Sequence, residues 1–128
     1  MNRNKIIVLI FLIAIFSGFF WNQKIFSQPV TSDQALYNRV AQNVLAGRGF
    51  SDFGRDAGME PVYLLFLAGV YGLFGHNYDT VRIIQIILFA LLAIFIFLIA
   101  EKSFGRKIAI YASLASALFY GLDRKSVV

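Results

Sequence analysis

The chain predicts an all-α, polytopic membrane protein with about four transmembrane helices, the last incomplete. An amphipathic interfacial helix is expected in the first extracytoplasmic loop. Three observations carry this. First, 59% of the 128 residues are hydrophobic, and mean hydropathy is +0.69. A soluble chain of this size rarely carries so much apolar surface, because it cannot bury it all. Second, the apolar residues fall in runs that approach the length needed to cross a ~30 Å hydrocarbon core. Third, the polar stretch from Thr31 to Glu60 interrupts those runs and has a helical pattern of its own.

The first span is expected over residues 6–21, from Ile6 to Trp21 (IIVLIFLIAIFSGFFW). At ~1.5 Å per residue it nearly crosses the core. Arg3 and Lys5 precede it, which places the N-terminus in the cytoplasm and the first loop outside. A cleaved signal peptide would share the charged start and apolar stretch, but no A-x-A-like site follows.

Residues 32–46 predict the amphipathic helix. Thr31 and Gln34 have capping-box spacing. Leu36, Tyr37, Val40, Ala41, Val44 and Leu45 fall on one stripe, and Asp33, Asn38, Arg39, Gln42 and Asn43 on the other side. Gly47 supplies a C-terminal stop. With spans on either side, the helix is expected on the bilayer surface. Packing on other protein is the alternative, and the two are compatible.

Arg48 to Glu60 contains Gly49, Gly54, Ala57 and Gly58 and predicts an irregular loop. Pro61 suits the first turn of a helix. The second span is expected over 59–75, short and partly shielded by other helices. His76 to Thr80 forms a turn. Residues 81–100 give the clearest span, with only Arg82 and Gln85 polar, both near one end. Glu101 to Lys107 (EKSFGRK) is a polar hairpin, and residues 108–122 begin a fourth span. Four crossings from a cytoplasmic N-terminus leave this hairpin outside. Its Lys102, Arg106 and Lys107 favour the inside, by a rule that is statistical and weighted toward the first helix.

The last residues, DRKSVV, break the fourth span at Asp123. Charge within a span is costly in lipid. A common short-read sequencing adapter translates as Asp-Arg-Lys-Ser-Val-Val-stop. Residues 123–128 are therefore expected to be an artefact tail on the N-terminal part, 1–122, of a longer protein, and the fragment alone is expected to be inactive. A genuine basic cytoplasmic tail is the alternative.

Composition excludes several functions. The net charge of +5 sits in membrane-flanking segments and forms no basic face with interleaved aromatics, so nucleic acid is not a partner. There is no cysteine, hence no disulfide or thiolate chemistry. His76 is the single histidine, so no site can be built on several imidazoles. His76 is expected to be structural or solvated.

The ordered motifs resemble the N-terminal part of bacterial GT-C membrane glycosyltransferases, the dolichyl-phosphate-mannose-protein mannosyltransferase and aminoarabinose transferase-like group (glycosyltransferase family 39-like). Members commonly show D-x-x-x-Y-x-x-x-A followed by G-x-G-[FY] in the first outer loop. Asp33, Tyr37, Ala41, Gly47, Gly49 and Phe50 match. They also show an R-E-P-G-Y-P-like entry to the next helix, which here reads Met59, Glu60, Pro61, Val62, Tyr63, Leu64. Met for Arg, Val for Gly and Leu for the second Pro are departures. The resemblance covers residues 6–122.

It implies transfer of a hexosyl or pentosyl group from a polyprenyl-phosphate donor to an acceptor hydroxyl or amine at the outer face of the cytoplasmic membrane. Membrane lipids, the lipid-linked sugar and an unidentified acceptor are the implied partners. A carboxylate must take the acceptor proton or hold a metal, and cations must stabilise the departing phosphate. Asp33 is the candidate catalytic residue, in a helical first turn whose dipole favours its charged form. Acids are preferred in first turns on structural grounds alone, so that reading stands beside the catalytic one. Tyr37, Arg55, Glu60 and Tyr63 are candidate substrate-binding residues. Glu60 could pair with Arg55. Arg39 and Arg48 are alternative phosphate partners or headgroup contacts. Asp52 and Asp56 read as solvated turn residues. A divalent metal is left open, with Asp33 its only nominated ligand.

A non-catalytic multi-pass membrane protein or transporter fragment is the competing class. Transporters place ionisable groups near the bilayer centre. Here the span centres are clean and the acids gather in the loop, which favours the enzyme.

Overall fold

A computed structural model describes the backbone at residues 1–26, 32–52, 55–56 and 60–123, with side chains placed for 1–23, 35–51 and 60–119. The order is α1 (Arg3–Phe26), α2 (Ser32–Leu45), β1 (Ser51–Asp52), β2 (Arg55–Asp56), α3 (Pro61–Phe74), α4 (Tyr78–Phe104) and α5 (Arg106–Asp123). The chain divides into two compact units, residues 1–27 with 83–128, and residues 28–82.

The first unit carries the long apolar helices. Arg3–Gln23 of α1 and Tyr78–Phe104 of α4 are long and apolar enough to cross a membrane. Their packing inverts the pattern of a soluble protein. The seam is made of small residues: Ala14 on α1, Ala90, Ala93 and Ala100 on α4, and Ala109 and Ala117 on α5, joined by Ile6, Ile10 and Phe97. Ser113, also buried, lies between Ala109 and Ala117 at four-residue spacing. Large apolar side chains point outward. Phe16 is 73% exposed and Ile99 66% exposed, and Phe95, Leu92 and Leu118 are exposed as well. In water each would forfeit about 25 cal/mol per Å² of apolar surface. In lipid that term vanishes, and association rests on close backbone approach through small residues. This residue sorting, small inside and large outside, is that of helices packed in a bilayer.

Among the described residues, two of the three buried polar side chains in these helices are satisfied locally, while Ser17 Oγ is buried without a hydrogen-bond partner. Asn22 Nδ2 donates to the Gly18 carbonyl at 2.7 Å, and Ser113 Oγ donates to the Ile110 carbonyl at 3.1 Å. Both bonds fall within one turn, which is how hydroxyl and amide side chains are tolerated in a helix surrounded by hydrocarbon.

The second unit is built on the α2–α3 pair. Val40 and Ala41 on the apolar stripe of α2 are fully buried, and α2 packs on α3. Of the two expectations for this stripe, contact with protein is the one observed. The stop at Gly47 is a Schellman motif. Gly47, at φ 73°, donates its N–H to the Val44 carbonyl, and Arg48 donates to the Asn43 carbonyl at 2.8 Å. The positive φ places glycine there with no Cβ penalty. The capping pair Thr31 and Gln34 lies outside the described side chains.

Several boundaries move. The stretch expected to be an irregular loop contains an antiparallel pair, with Ser51 opposite Asp56 and Asp52 opposite Arg55. The physical reason is an anchor on α2: Asn43 Nδ2 donates to the Ser51 carbonyl at 2.6 Å, and Ser51 Oγ donates to the Arg48 carbonyl at 3.2 Å. α3 occupies residues 61–74 rather than the expected 59–75, with Pro61 in its first turn as anticipated. Asn77 caps α4 by accepting from the Asp79 N–H at 2.9 Å, so the predicted turn is already helical from Tyr78. The polar hairpin is mostly helix: α4 runs through Phe104 and α5 starts at Arg106, which pairs with Glu101 at 2.9 Å. Residues 124–128 lie outside the described residues.

Candidate active site

The proposed site residues lie in the second unit. Asp33 is the second residue of α2, in the positive end of the helix dipole. Its side chain lies outside the described ones, as do those of Arg55 in β2 and of Asp52 and Asp56. The expected Arg55–Glu60 pairing therefore falls outside them too. Tyr37 follows Asp33 by four residues, one turn along the same face of the helix.

Two of the nominated residues meet. The Tyr37 and Tyr63 rings stand edge to face, with centroids 5.2 Å apart and planes at 83°. Tyr63 then stacks on Phe66 at 6.2 Å. The motif halves D-x-x-x-Y and E-P-x-Y, separated in sequence by the glycine-rich loop, are thus joined by their tyrosines. Glu60 sits at the N-cap of α3 with extended backbone, φ −63° and ψ 117°, makes no side-chain cap bond and is exposed. Its carboxylate is three residues from Tyr63, available to a polar ligand at that end of the helix. Edge-to-face aromatic pairs contribute ~0.5–1.5 kcal/mol beyond their area. A double-mutant cycle on Tyr37→Leu and Tyr63→Leu, read by thermal unfolding in detergent, is expected to give a coupling of that size. A coupling of zero would mean the two halves of the motif do not meet in the folded protein.

His76, the single histidine, has a structural place. Its Nε2 pairs with Asn38 Oδ1, and its ring lies 4.9 Å from Tyr71 and 5.5 Å from Tyr78. It ties the end of α3 to α2. Asn38 and Asn43 were read from the sequence only as part of a polar face, yet both are tethers. Asn38 holds His76, and Asn43 holds β1. The available signal was a pair of asparagines five apart beside a glycine stop, where amides commonly bond backbone. Among the described residues no three His, Asp or Glu side chains gather in a metal-sized group.

Residues 58–123 match the dolichyl-phosphate-mannose-protein mannosyltransferase family, over just more than half of the chain. The chain belongs to that family. The match begins beside Glu60 and Pro61, takes in α3 and α4, and ends with α5. It includes two of the nominated residues, Glu60 and Tyr63, while Asp33, Tyr37 and Arg55 precede it. No curated protein and no solved structure matches the chain. The fold that accompanies this match has long apolar helices in one unit and, in the other, a polar loop segment folded on a short apolar helix.

Proposed function

We propose that this mannosyltransferase-family chain is part of an enzyme that moves a sugar from a polyprenyl-phosphate donor to an acceptor at the outer face of the cytoplasmic membrane. The observation that carries the proposal is the family match over residues 58–123. The family's name specifies a dolichyl-phosphate-mannose donor and a protein acceptor, and a lipid-linked donor agrees with apolar helices flanking the loop segment on both sides.

The chemistry assigns each residue a task. The acceptor hydroxyl or amine attacks the anomeric carbon. A new bond to that carbon forms as the bond from carbon to phosphate oxygen breaks, and the lipid phosphate leaves with the electron pair. Asp33 takes the acceptor's proton. Arg55 bonds the phosphate oxygens and stabilises the charge that gathers there. Glu60 and the Tyr37–Tyr63 pair bind the sugar, the carboxylate accepting from hydroxyls and the rings covering an apolar sugar face. Donor binding at the outer face is consistent with a cytoplasmic N-terminus set by Arg3 and Lys5.

The test is donor choice. Membranes containing the full reading frame are supplied with a radiolabelled polyprenyl-phosphate sugar or with the matching nucleotide sugar. Transfer of label from the lipid donor, in the presence of an inhibitor of lipid-sugar synthesis, is the expected result. Transfer from the nucleotide sugar under the same block would overturn the donor assignment. No transfer from either, by protein present in the membrane, would favour the non-catalytic membrane protein.

A further inference from the structure

Much of what holds α2 on α3 is without direction. Among the described residues of α2, Val40 and Ala41 are fully buried. Burial of small apolar side chains is non-directional and resists a slide or a rotation only weakly. At the C-terminal end of α2, Leu45 approaches Gly72 of α3, where a Cβ would lie 3.3 Å from Leu45 Cδ2. Two neighbouring residues of α2 supply direction. Tyr37 reaches Tyr63, in the first turn of α3. Asn38 reaches His76, two residues past the last residue of α3. Consecutive residues point about 100° apart around a helix axis. Contacts from these two to opposite ends of α3 therefore fix how far α2 is rotated about its own axis.

His76 is a fixed point for that contact. The connector between α3 and α4 is three residues long, Gly75, His76 and Asn77. Gly75, at φ 82°, donates its N–H to the Tyr71 carbonyl at 3.0 Å and closes α3. Asn77 caps α4 at once. The His76 ring lies against those of Tyr71 and Tyr78, so residues of α3 and α4 both hold it. From there Nε2 pairs with Asn38 Oδ1. The bond is exposed, and water competes for both partners, so it adds little to stability. Its contribution is direction.

We propose that His76 is a positioning residue for sugar transfer: through Asn38 it sets the rotation of α2, and with it the Tyr37–Tyr63 contact and the place of Asp33. The effect on catalysis rests on the transfer reading above, while the effect on the tyrosine contact does not. Asp33 lies one turn before Tyr37 on the same face of α2. A side-chain tip ~5 Å from the helix axis moves ~2 Å when the helix turns by ~20°. A misplacement of ~1 Å can cost ~10²-fold in rate. A turn of that size keeps Val40 and Ala41 against α3, so their burial does not oppose it.

His76→Phe keeps a ring against Tyr71 and Tyr78 and removes the donor, while Asn38→Leu removes the acceptor. In the full reading frame, each is expected to lower kcat for transfer from the lipid-linked donor by a factor on the order of 10–10². The amount of protein in the membrane should stay the same, and the double variant should be no slower than either single one. His76→Gln, which retains an N–H donor, should keep more activity than His76→Phe. A second readout needs no activity: the thermal-unfolding coupling between Tyr37→Leu and Tyr63→Leu should vanish in the His76→Phe background. Losses that multiply in the double variant would overturn the proposal, as would His76→Gln no better than His76→Phe, or a Tyr37–Tyr63 coupling of parental size in His76→Phe. A parent that transfers no sugar refutes the transfer reading instead, and the coupling then decides the positioning.

Discussion

Asp33→Asn is expected to lower the transfer rate by a factor on the order of 10²–10⁴, the range a positioned proton acceptor supplies. The protein should still accumulate in the membrane at the level of the parent. Asparagine is nearly the same size and can still make the local bonds that favour Asp near a helix start. What it lacks is the charge and the ability to take a proton. The lost interaction with the helix dipole costs only ~0.3–1 kcal/mol, too little to unfold a helix that buries Val40 and Ala41 against α3. The substitution therefore separates the catalytic reading from the structural one. Asp33→Glu, which keeps the proton acceptor but moves it by one methylene, should retain part of the activity, because position as well as basicity sets the rate. The measurement is transfer from the lipid-linked donor per unit of membrane-inserted protein. Activity of Asp33→Asn equal to that of the parent would remove Asp33 from the chemistry.

The helices were legible because their signals are long and local. Apolar runs, the Pro61 start and the Gly47 stop each depend on a few adjacent residues, and all three appear in the structure. What the sequence could not give was partnership. The stripe of Leu36, Val40, Ala41 and Val44 is the same whether lipid or another helix covers it, since both are apolar. Only the fold places α3 against it. The β1–β2 pair is two residues long on each side, too short to make an alternating pattern, and it depends on a side-chain bond from Asn43 eight residues away. The tyrosines of the two site motifs are 26 positions apart in sequence. Their edge-to-face contact follows from the packing of α2 on α3, which no spacing rule encodes. Residues 59–75 look like a tolerable span by composition, and the helix within them covers 61–74.

Gly18→Ala is expected to weaken the packing of the long helices by ~1–3 kcal/mol, the cost of an added methyl in a filled interior. In an exposed helix the same change would stabilise by up to ~1 kcal/mol, because glycine is a poor helix former. Here a Cβ at Gly18 would lie 2.7 Å from Ile86 Cγ2 and 3.2 Å from Ile86 Cγ1, and Ile86 is fully buried. A long flexible side chain could swing away. Isoleucine cannot do so cheaply, because its branch at Cβ leaves one strongly preferred rotamer in a helix. The helices must separate instead, and each small-residue contact along the seam loosens with them. Gly18→Leu should be worse and prevent packing at this point altogether. The decisive variant is the double one. Ile86→Ala alone leaves a cavity and is expected to destabilise, yet Gly18→Ala with Ile86→Ala refills part of that cavity with the new methyl. The pair should be more stable than the sum of the single changes predicts, by ~0.5–3 kcal/mol of coupling. Gly18→Ala with Ile86→Val should show no such recovery, because valine keeps both carbons that clash. Unfolding by denaturing detergent in mixed micelles reads all five variants on one scale. Strict additivity would mean that Gly18 and Ile86 are not in contact, and that α1 and α4 meet elsewhere.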